Sequence, residues 1–394
     1  MSILKLENRI QNYAWGSTIY IAKLQGRYFP SEQPEAEVWI GTHPKAPSLV
    51  AGQSLQDLIA SDPIKYLGES VASRYQNKLP FLLKFLAAGQ PLSIQAHPNI
   101  DQARKGFVRE NRQGISLTAS HRNYKDDNHK PEIICALSEF WVLNGFRPIP
   151  RILKLMEEAS LTEIYNERCA LAKKPNRSGL NTFFLSIMKL DDKRCERLLD
   201  QLQQAPVEKF RRRPEYDWIV KISELYPGDI CVICVLLLNL VKLQPGEAMF
   251  VANGYLHAYL EGFGVELITN SDNVLRGGLT AKHIDRLELT SILTFRTVKP
   301  KILKPKNGVY STPVDEFVLE VIHLEERKTY ESADQHGFEL LASARGKAAI
   351  QDINGKNSFV LKTGQACAVT ALAGRYRLQG NALIYKASVK GACR

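Results

Sequence analysis

The spacing of hydrophobic positions changes twice along the chain. From Met1 to about Pro150, short apolar runs such as PFLLKFLAA and PLSIQAH lie between clusters of Gly, Pro and Asn. Runs of that length bounded by breakers predict strands with some helix. From about residue 151 to 240 the texture differs. RILKLMEEASLTEIYNERCALA and FFLSIMKLDDKRCERLLDQLQQ place apolar residues at helical spacing with charges between them. In the second segment Phe184, Ile187, Met188, Leu198 and Leu199 would line one face. This helical stretch closes on the longest apolar run, Ile230 to Val241. The run has about half the length a bilayer crossing needs, so it predicts a buried element.

After Leu243 the strand texture returns. LQPGEAMFVANGYLHAYLEGFGVELITNSDNVL has short apolar runs cut by Pro-Gly, Asn-Gly and Gly-x-Gly. From about Lys304 onward, FVLEVIHLE, FELLASAR, KAAIQDI, SFVLKTG, ACAVTALAG, RYRLQG and ALIYKAS read as successive strands. Evenly spaced short strands indicate a sandwich or barrel. The predicted class is mainly β with a helical insertion (α+β).

Composition narrows the function. The 394 residues, 44% hydrophobic and 24% charged, suit two or three ordinary globular domains. A chain of this length buries a large core unaided, so a metal site here serves function rather than folding. The N-terminus MSILKLENRIQNYAW lacks the apolar segment of a secretion signal. Seven scattered cysteines, Cys393 the last, fit reduced thiols in a cytoplasm. The net charge of +11 raises the question of nucleic acid. The basic residues are dispersed, however, and the one compact run, Arg211-Arg212-Arg213, reads as a solvated helix end or loop. A diffuse positive field also suits a small anionic substrate.

Four segments carry candidate chemistry. In Gln95-Ala96-His97-Pro98, residues two apart face the same way in a strand, so Gln95 and His97 would point into one cavity. In Asn128-His129-Lys130-Pro131-Glu132, a polar turn gives way to the apolar IICAL. Glu132 would therefore open a buried strand, where a carboxylate needs a metal or Lys130 as partner. In Gly254-Tyr255-Leu256-His257-Ala258-Tyr259, a histidine follows a turn at the start of a strand. In the run from Asp272 to Thr280, Arg276 sits beside Gly277 and Gly278, where the backbone allows close approach to a ligand.

The ordered set resembles type I mannose-6-phosphate isomerase (phosphomannose isomerase), of the cupin superfamily. The matching segments are NYAWGS, AEVWIGTHPKAPS, LPFLLKFLAAGQPLSIQAHPN, YKDDNHKPE, PGEAMFVANGYLHAYLEG and GVELITNSDNVLRGGLTAKHID. They run through most of residues 8 to 286 and skip the helical stretch. The resemblance implies two cupin-type jelly-roll barrels plus a helical domain. Residues 1–150 and 240–303 would form a discontinuous catalytic barrel, 151–239 the insertion and 304–394 a C-terminal cupin-like domain.

The resemblance also implies one zinc ion per chain, held by Gln95, His97, Glu132 and His257. The reaction would interconvert D-mannose 6-phosphate and D-fructose 6-phosphate by proton transfer through an enediol. Arg276 matches the family's catalytic arginine. Lys130 is the first choice for the base and Glu266 the second, a zinc-bound His97 being a poor one. A lysine base needs a depressed pKa, which nearby zinc could supply. Ser93, Lys84 and Lys282 are the expected phosphate donors, although Lys84, set in PFLLKFL, could instead pair with a buried carboxylate. Trp15, Tyr259 and Asp272 are expected in the substrate pocket. The expected partner is a small sugar phosphate, with no nucleic acid or membrane, and the working unit a cytoplasmic monomer. The alternatives are a non-catalytic metal-bound cupin that binds sugars, an iron cupin oxygenase, whose ligand set is richer in His, and a nucleic-acid binder suggested by charge alone.

Overall fold

A computed structural model of the chain describes residues 2–205, 208–334, 336–355 and 357–392, so Cys393 lies outside the described residues. The mainly β class with a helical insertion is what is found. An eleven-stranded sheet gathers strands from Arg9–Gln11 to Ile302–Leu303, and an eight-stranded sheet holds the C-terminal strands. The first strand, Ile3–Leu6, pairs with Ala366–Val369 and so belongs to the C-terminal sheet. A cut at residue 304 does not anticipate that exchange.

The centre of the larger sheet is the 13-residue strand His257–Thr269. Its second half pairs with Phe81–Ala88 on one side and Glu132–Ala136 on the other. Its first half pairs with Phe140–Phe146 and, at His257, with Gln95. The register shifts between Tyr259 and Glu261. The extra residue of such a bulge reverses the in–out alternation of the side chains. Val265 and Leu267 therefore pack in the core between the two sheets, whereas Tyr259, before the bulge, packs on the other side with Leu86 and Ile134. Gly262 permits the bend: at its φ of 143°, a Cβ would lie 2.7 Å from Glu139 O.

The core between the sheets takes Phe81, Leu83 and Phe85 from one and Leu340, Ala342 and Tyr385 from the other. Period-two alternation then turns Leu82, Lys84 and Leu86 to the opposite face, toward the site. The C-terminal strands are fewer and longer than the sequence suggests. FELLASAR and KAAIQDI are one strand, Glu339–Asp352, and RYRLQG and ALIYKAS are another, Tyr376–Ser388. Gly346 and Gly380, which read as turn signals, instead mark close approach within this pair: a Cβ at Gly380 would stand 2.4 Å from Lys347 O.

The helical stretch contains Ile149–Glu158, Tyr165–Lys173, Arg177–Met188, Asp192–Gln203, Glu208–Arg211 and Pro214–Leu225. Asp191 caps the fourth of these by accepting from Arg194 N at 2.9 Å, so the segment FFLSIM…QLQQ is two helices rather than one. All five residues expected on its apolar face are buried in a core shared with Ala258 and Leu260 of the central strand. The Ile230–Val241 run is buried from Cys231 through Leu238, but not in one conformation. It passes through a 3-10 turn (Ile230–Ile233) and a helical turn (Cys234–Leu237) into the strand Leu238–Leu243, which pairs with Phe140–Phe146. Of its β-branched residues only Val241 reaches that ladder, opposite Val142.

Leu340 is fully buried between the sheets. Leu340→Ala is expected to lower unfolding free energy by about 3 kcal/mol, the usual cost of such a cavity, in reversible urea unfolding. Val360→Ala, at a position 45% exposed, should change it by less than about 0.5 kcal/mol. Similar losses for both would show that the packing between the sheets is not what stabilises them.

Candidate active site

His97 follows the strand Ile94–Ala96, Glu132 opens Glu132–Ala136 and His257 opens the central strand. All three are buried, and their ligand atoms lie within 4.8 Å of one another. The imidazoles are oriented from behind. His97 Nδ1 donates to Asn273 O at 2.7 Å and His257 Nδ1 donates to Tyr255 O at 3.1 Å. A carbonyl only accepts, so each Nδ1 carries the proton and each Nε2 presents a lone pair to the cluster. His97 Nε2 lies 3.2 Å from Glu132 Oε1, yet it is buried without a hydrogen bond. His257 Nε2 is 3.4 Å from Glu132 Oε2 and 3.4 Å from the Gln95 amide nitrogen. The amide oxygen and nitrogen of Gln95 can exchange places by a flip, which turns an acceptor to the same point. Two neutral imidazoles, a carboxylate and an amide around an unsatisfied buried lone pair fit a zinc ion.

The electrostatics favour that use. Burial pushes the Glu132 carboxyl up, but Lys130 and then His97 outweigh it and hold the group well below the usual range. Burial, reinforced by Lys130, lowers His97 to about 4, so its ring stays neutral and ready to ligate. Lys130 Nζ donates to Glu132 Oε1. Tyr259 OH donates to Glu132 Oε2 at 3.4 Å, and burial followed by Glu266 and Glu132 raises the phenol well above its ordinary value.

A second buried row lies beside the cluster. Lys84 stands directly across the sheet from Glu266 on one neighbouring strand and from Trp39 on the other. Its ammonium donates at 3.1 Å to both Glu266 and Glu37, and Glu37 also accepts from Trp39 Nε1 at 2.8 Å. Burial opposes the charge on Lys84, but Glu266 and Glu37 hold its pKa above the ordinary value. Burial also raises Glu266, and Glu132 and Glu37 add to burial against the pull of Lys84.

A cavity of about 620 Å³ opens over both groups, with Trp15, Ser93, Gln95, Lys130, Arg276 and Lys282 in its wall. Lys84 and Asp272 also reach it. Among the described residues neither Arg276 nor Lys282 has an acidic partner. Burial lowers both pKa values, and Arg276 and Lys45 lower Lys282 further. That end of the cavity is therefore positive and unneutralised. Asp272 does not relieve it. Asp272 is engaged by Lys45 at 2.8 Å and His43 at 3.3 Å, which outweigh burial and hold its carboxyl below the usual range.

The four expected ligands thus converge, and the expected phosphate donors share the cavity. Lys84 does pair with buried carboxylates, which leaves its ammonium the least free of the three. Tyr259 corrects an expectation: it is 2% exposed, absent from the cavity wall and packed edge-on against Phe140 at 5.5 Å, so it supports Glu132 instead of facing a ligand. Glu266 is likewise below the wall, in contact with Lys84. Glu37, His43, Lys45 and Asn273 were missed. All four lie in segments that carry the family resemblance, and the Glu37–Trp39 alternation beside PFLLKFL was the available signal.

The chain is similar along most of its length to proteins of one enzyme family. The family model for phosphomannose isomerase type I, catalytic domain, matches residues 3–149, and that for the helical insertion domain of the same family matches residues 155–238. The mannose-6-phosphate isomerase of Escherichia coli is 40% identical over 379 residues, covering 93% of this chain and 94% of its own. Mannose-6-phosphate isomerase 1 of Arabidopsis thaliana is 32% identical, covering 81% and 78%. The apo mannose 6-phosphate isomerase of Salmonella typhimurium superposes with a TM-score of 0.91 at 36% identity over 99% of this chain. A zinc-bound mannose 6-phosphate isomerase does so with the same score, identity and coverage.

A pH dependence follows for the metal-free chain. His97 falls from an ordinary 6.5 to about 4 on folding. Between those values the unfolded chain binds the extra proton, so stability rises with pH across that window and is lost as pH falls through it. Urea midpoints of the metal-free protein should therefore drop from pH 6.5 to 4. His97→Asn should flatten part of that slope, and parallel slopes for the two proteins would remove His97 as its source.

Proposed function

The chain belongs to the type I phosphomannose isomerase family, and from that premise we propose how its residues carry the reaction. The enzyme interconverts D-mannose 6-phosphate and D-fructose 6-phosphate and uses zinc. The observation that carries the reading is a buried ligand cluster with an unsatisfied His97 Nε2, beneath a cavity whose wall also holds two cations without acidic partners.

Gln95, His97, Glu132 and His257 would hold the zinc. When bound, zinc supplies a Lewis acid that polarises a sugar oxygen without taking up a proton. Lys130 is the proposed base, since it reaches the cavity and touches Glu132. The contact to Glu132 holds its amine beside the ligand cluster. Glu266, raised by burial, is the second candidate. Arg276 faces the developing charge of the enediolate, a role for which a fixed cation in a partly buried wall is suited. Ser93 and Lys282 receive the phosphate, with Lys84 the weaker third donor. Trp15 packs against the sugar and Asp272 fixes the opposite wall through Lys45 and His43.

The same reading takes residues 1–150 and 240–303, less the first strand, as the catalytic barrel of jelly-roll type. Residues 151–239 form the insertion and 304–394 a second cupin-like barrel. Every proposed ligand comes from one chain, which supports a working monomer. No helix among the described residues is long and apolar enough to cross a membrane. The six cysteines described are free thiols, which suits action in a reducing cytoplasm.

Chelation should abolish turnover of mannose 6-phosphate in an assay coupled to glucose 6-phosphate, and zinc at about one ion per chain should restore it. Full activity without metal would refute the site. Arg276→Ala should keep zinc content and melting temperature while lowering kcat about a hundredfold. An unaltered kcat would leave Arg276 a wall residue only.

A further inference from the structure

The segment that carries Arg276 and Lys282 pairs with the strand Ile94–Ala96 only as far as Gly278. Two glycines follow Arg276, and Leu279 has φ of 54°, a left-handed conformation disfavoured for a residue with a Cβ. The restraint comes from the last turn of the helical insertion. Leu279 N donates to Asp229 Oδ2 at 2.6 Å, and Cys231 N donates to Asp229 Oδ1 at 2.9 Å, which fixes the carboxylate itself. Cys231 Sγ donates to Gly277 O at 2.9 Å. Between these contacts the chains nearly touch, and a Cβ on Gly278 would stand 2.3 Å from Cys231 Cβ. The same turn reaches the other wall. Leu225 and Tyr226 line the cavity, and Tyr226 OH donates to Pro91 O at 2.7 Å, two residues before Ser93.

We infer that the turn Tyr226–Cys231 braces the phosphate end of the cavity, with Asp229 and Tyr226 as positioning residues that set the spacing between Ser93 and the Arg276–Lys282 segment. The helical insertion is then a working part of the substrate site. The inference rests on the phosphate reading above. Its physical basis is that a charge-assisted contact to phosphate is strong only when the donor is held where the oxygen arrives. Arg276 is also paired with Gln95 in the strand ladder, but Lys282 lies beyond the strained, glycine-rich stretch, so its placement depends on what grips Gly277 to Leu279.

The test uses the zinc-loaded enzyme and the variants Asp229→Ala, Asp229→Asn, Tyr226→Phe and Lys282→Ala. Three quantities are read: KM for mannose 6-phosphate against KM for mannose, competition by inorganic phosphate, and hydrogen exchange across residues 275–283. Asp229→Ala should raise the mannose 6-phosphate KM and the inorganic-phosphate inhibition constant about tenfold, the loss of one charge-assisted contact. The KM for mannose and the zinc content should hardly move, and the Leu279 amide should exchange faster. Asp229→Asn, which keeps one acceptor oxygen, should recover part of the loss. In a Lys282→Ala background the Asp229→Ala change should cost less than it does alone, because both act on one contact. Unchanged exchange together with unchanged phosphate competition overturns the brace. Faster exchange with unaltered phosphate competition keeps the brace and overturns the phosphate reading. Should Asp229→Ala fail to fold, Tyr226→Phe decides: a phosphate constant raised about threefold supports the brace, and an unmoved one overturns it.

Discussion

Glu132 is 1% exposed, and a carboxylate at that depth is tolerable only when it is surrounded by charge and donors. The arrangement around it answers that constraint. Counting the buried groups, Glu37, Glu132 and Glu266 supply three acids, while Lys84 and Lys130 supply two ammonium groups. The row is one positive charge short. Burial raises Glu266, in line with that deficit. A cation held beside Glu132 by the ligand cluster would meet it.

Strand geometry determines which residues meet that deficit. Period-two alternation aims Glu37, Lys84 and Glu266 at one face from three neighbouring strands. His257 and Tyr259 differ in parity from Glu266, yet all three serve the same side. The register shift between Tyr259 and Glu261 reconciles them. Without the bulge, either His257 would leave the metal cluster or Glu266 would enter the apolar layer between the sheets. Its position is therefore as much a part of the site as any ligand.

That bulge also explains what could be read from the sequence. SIQAHP, DDNHKPE and the Arg276 loop were legible because each keeps its chemistry within a few consecutive residues. Glu37, His43, Lys45 and Asn273 were not, since their roles come from partners far away in the chain: Lys84, Asp272 and the ring of His97. Tyr259 was misplaced because its neighbours in sequence gave no sign of which face it takes. The C-terminal strands show the same limit. Gly346 and Gly380 look like turn glycines, but they serve close contact between two long strands, which depends on pairing that one strand does not display.

The two ends of the cavity differ in how their charges are paired, and in the proposed reading this gives the substrate one orientation. A dispersed net charge of +11 draws a phosphate dianion toward the protein without choosing a site. The choice is made inside. On the floor the carboxylates and ammonium groups are paired with one another, whereas among the described residues Arg276 and Lys282 have no acid to neutralise them. Asp272, also in the cavity wall, is engaged by Lys45 and His43. In the proposed reading a phosphate entering the cavity is received at that cationic wall. The carbonyl end of the sugar is left to reach Lys130 and the ligand cluster. On that reading, paired charges make the buried floor tolerable and unpaired ones on the wall decide which end of the substrate reacts.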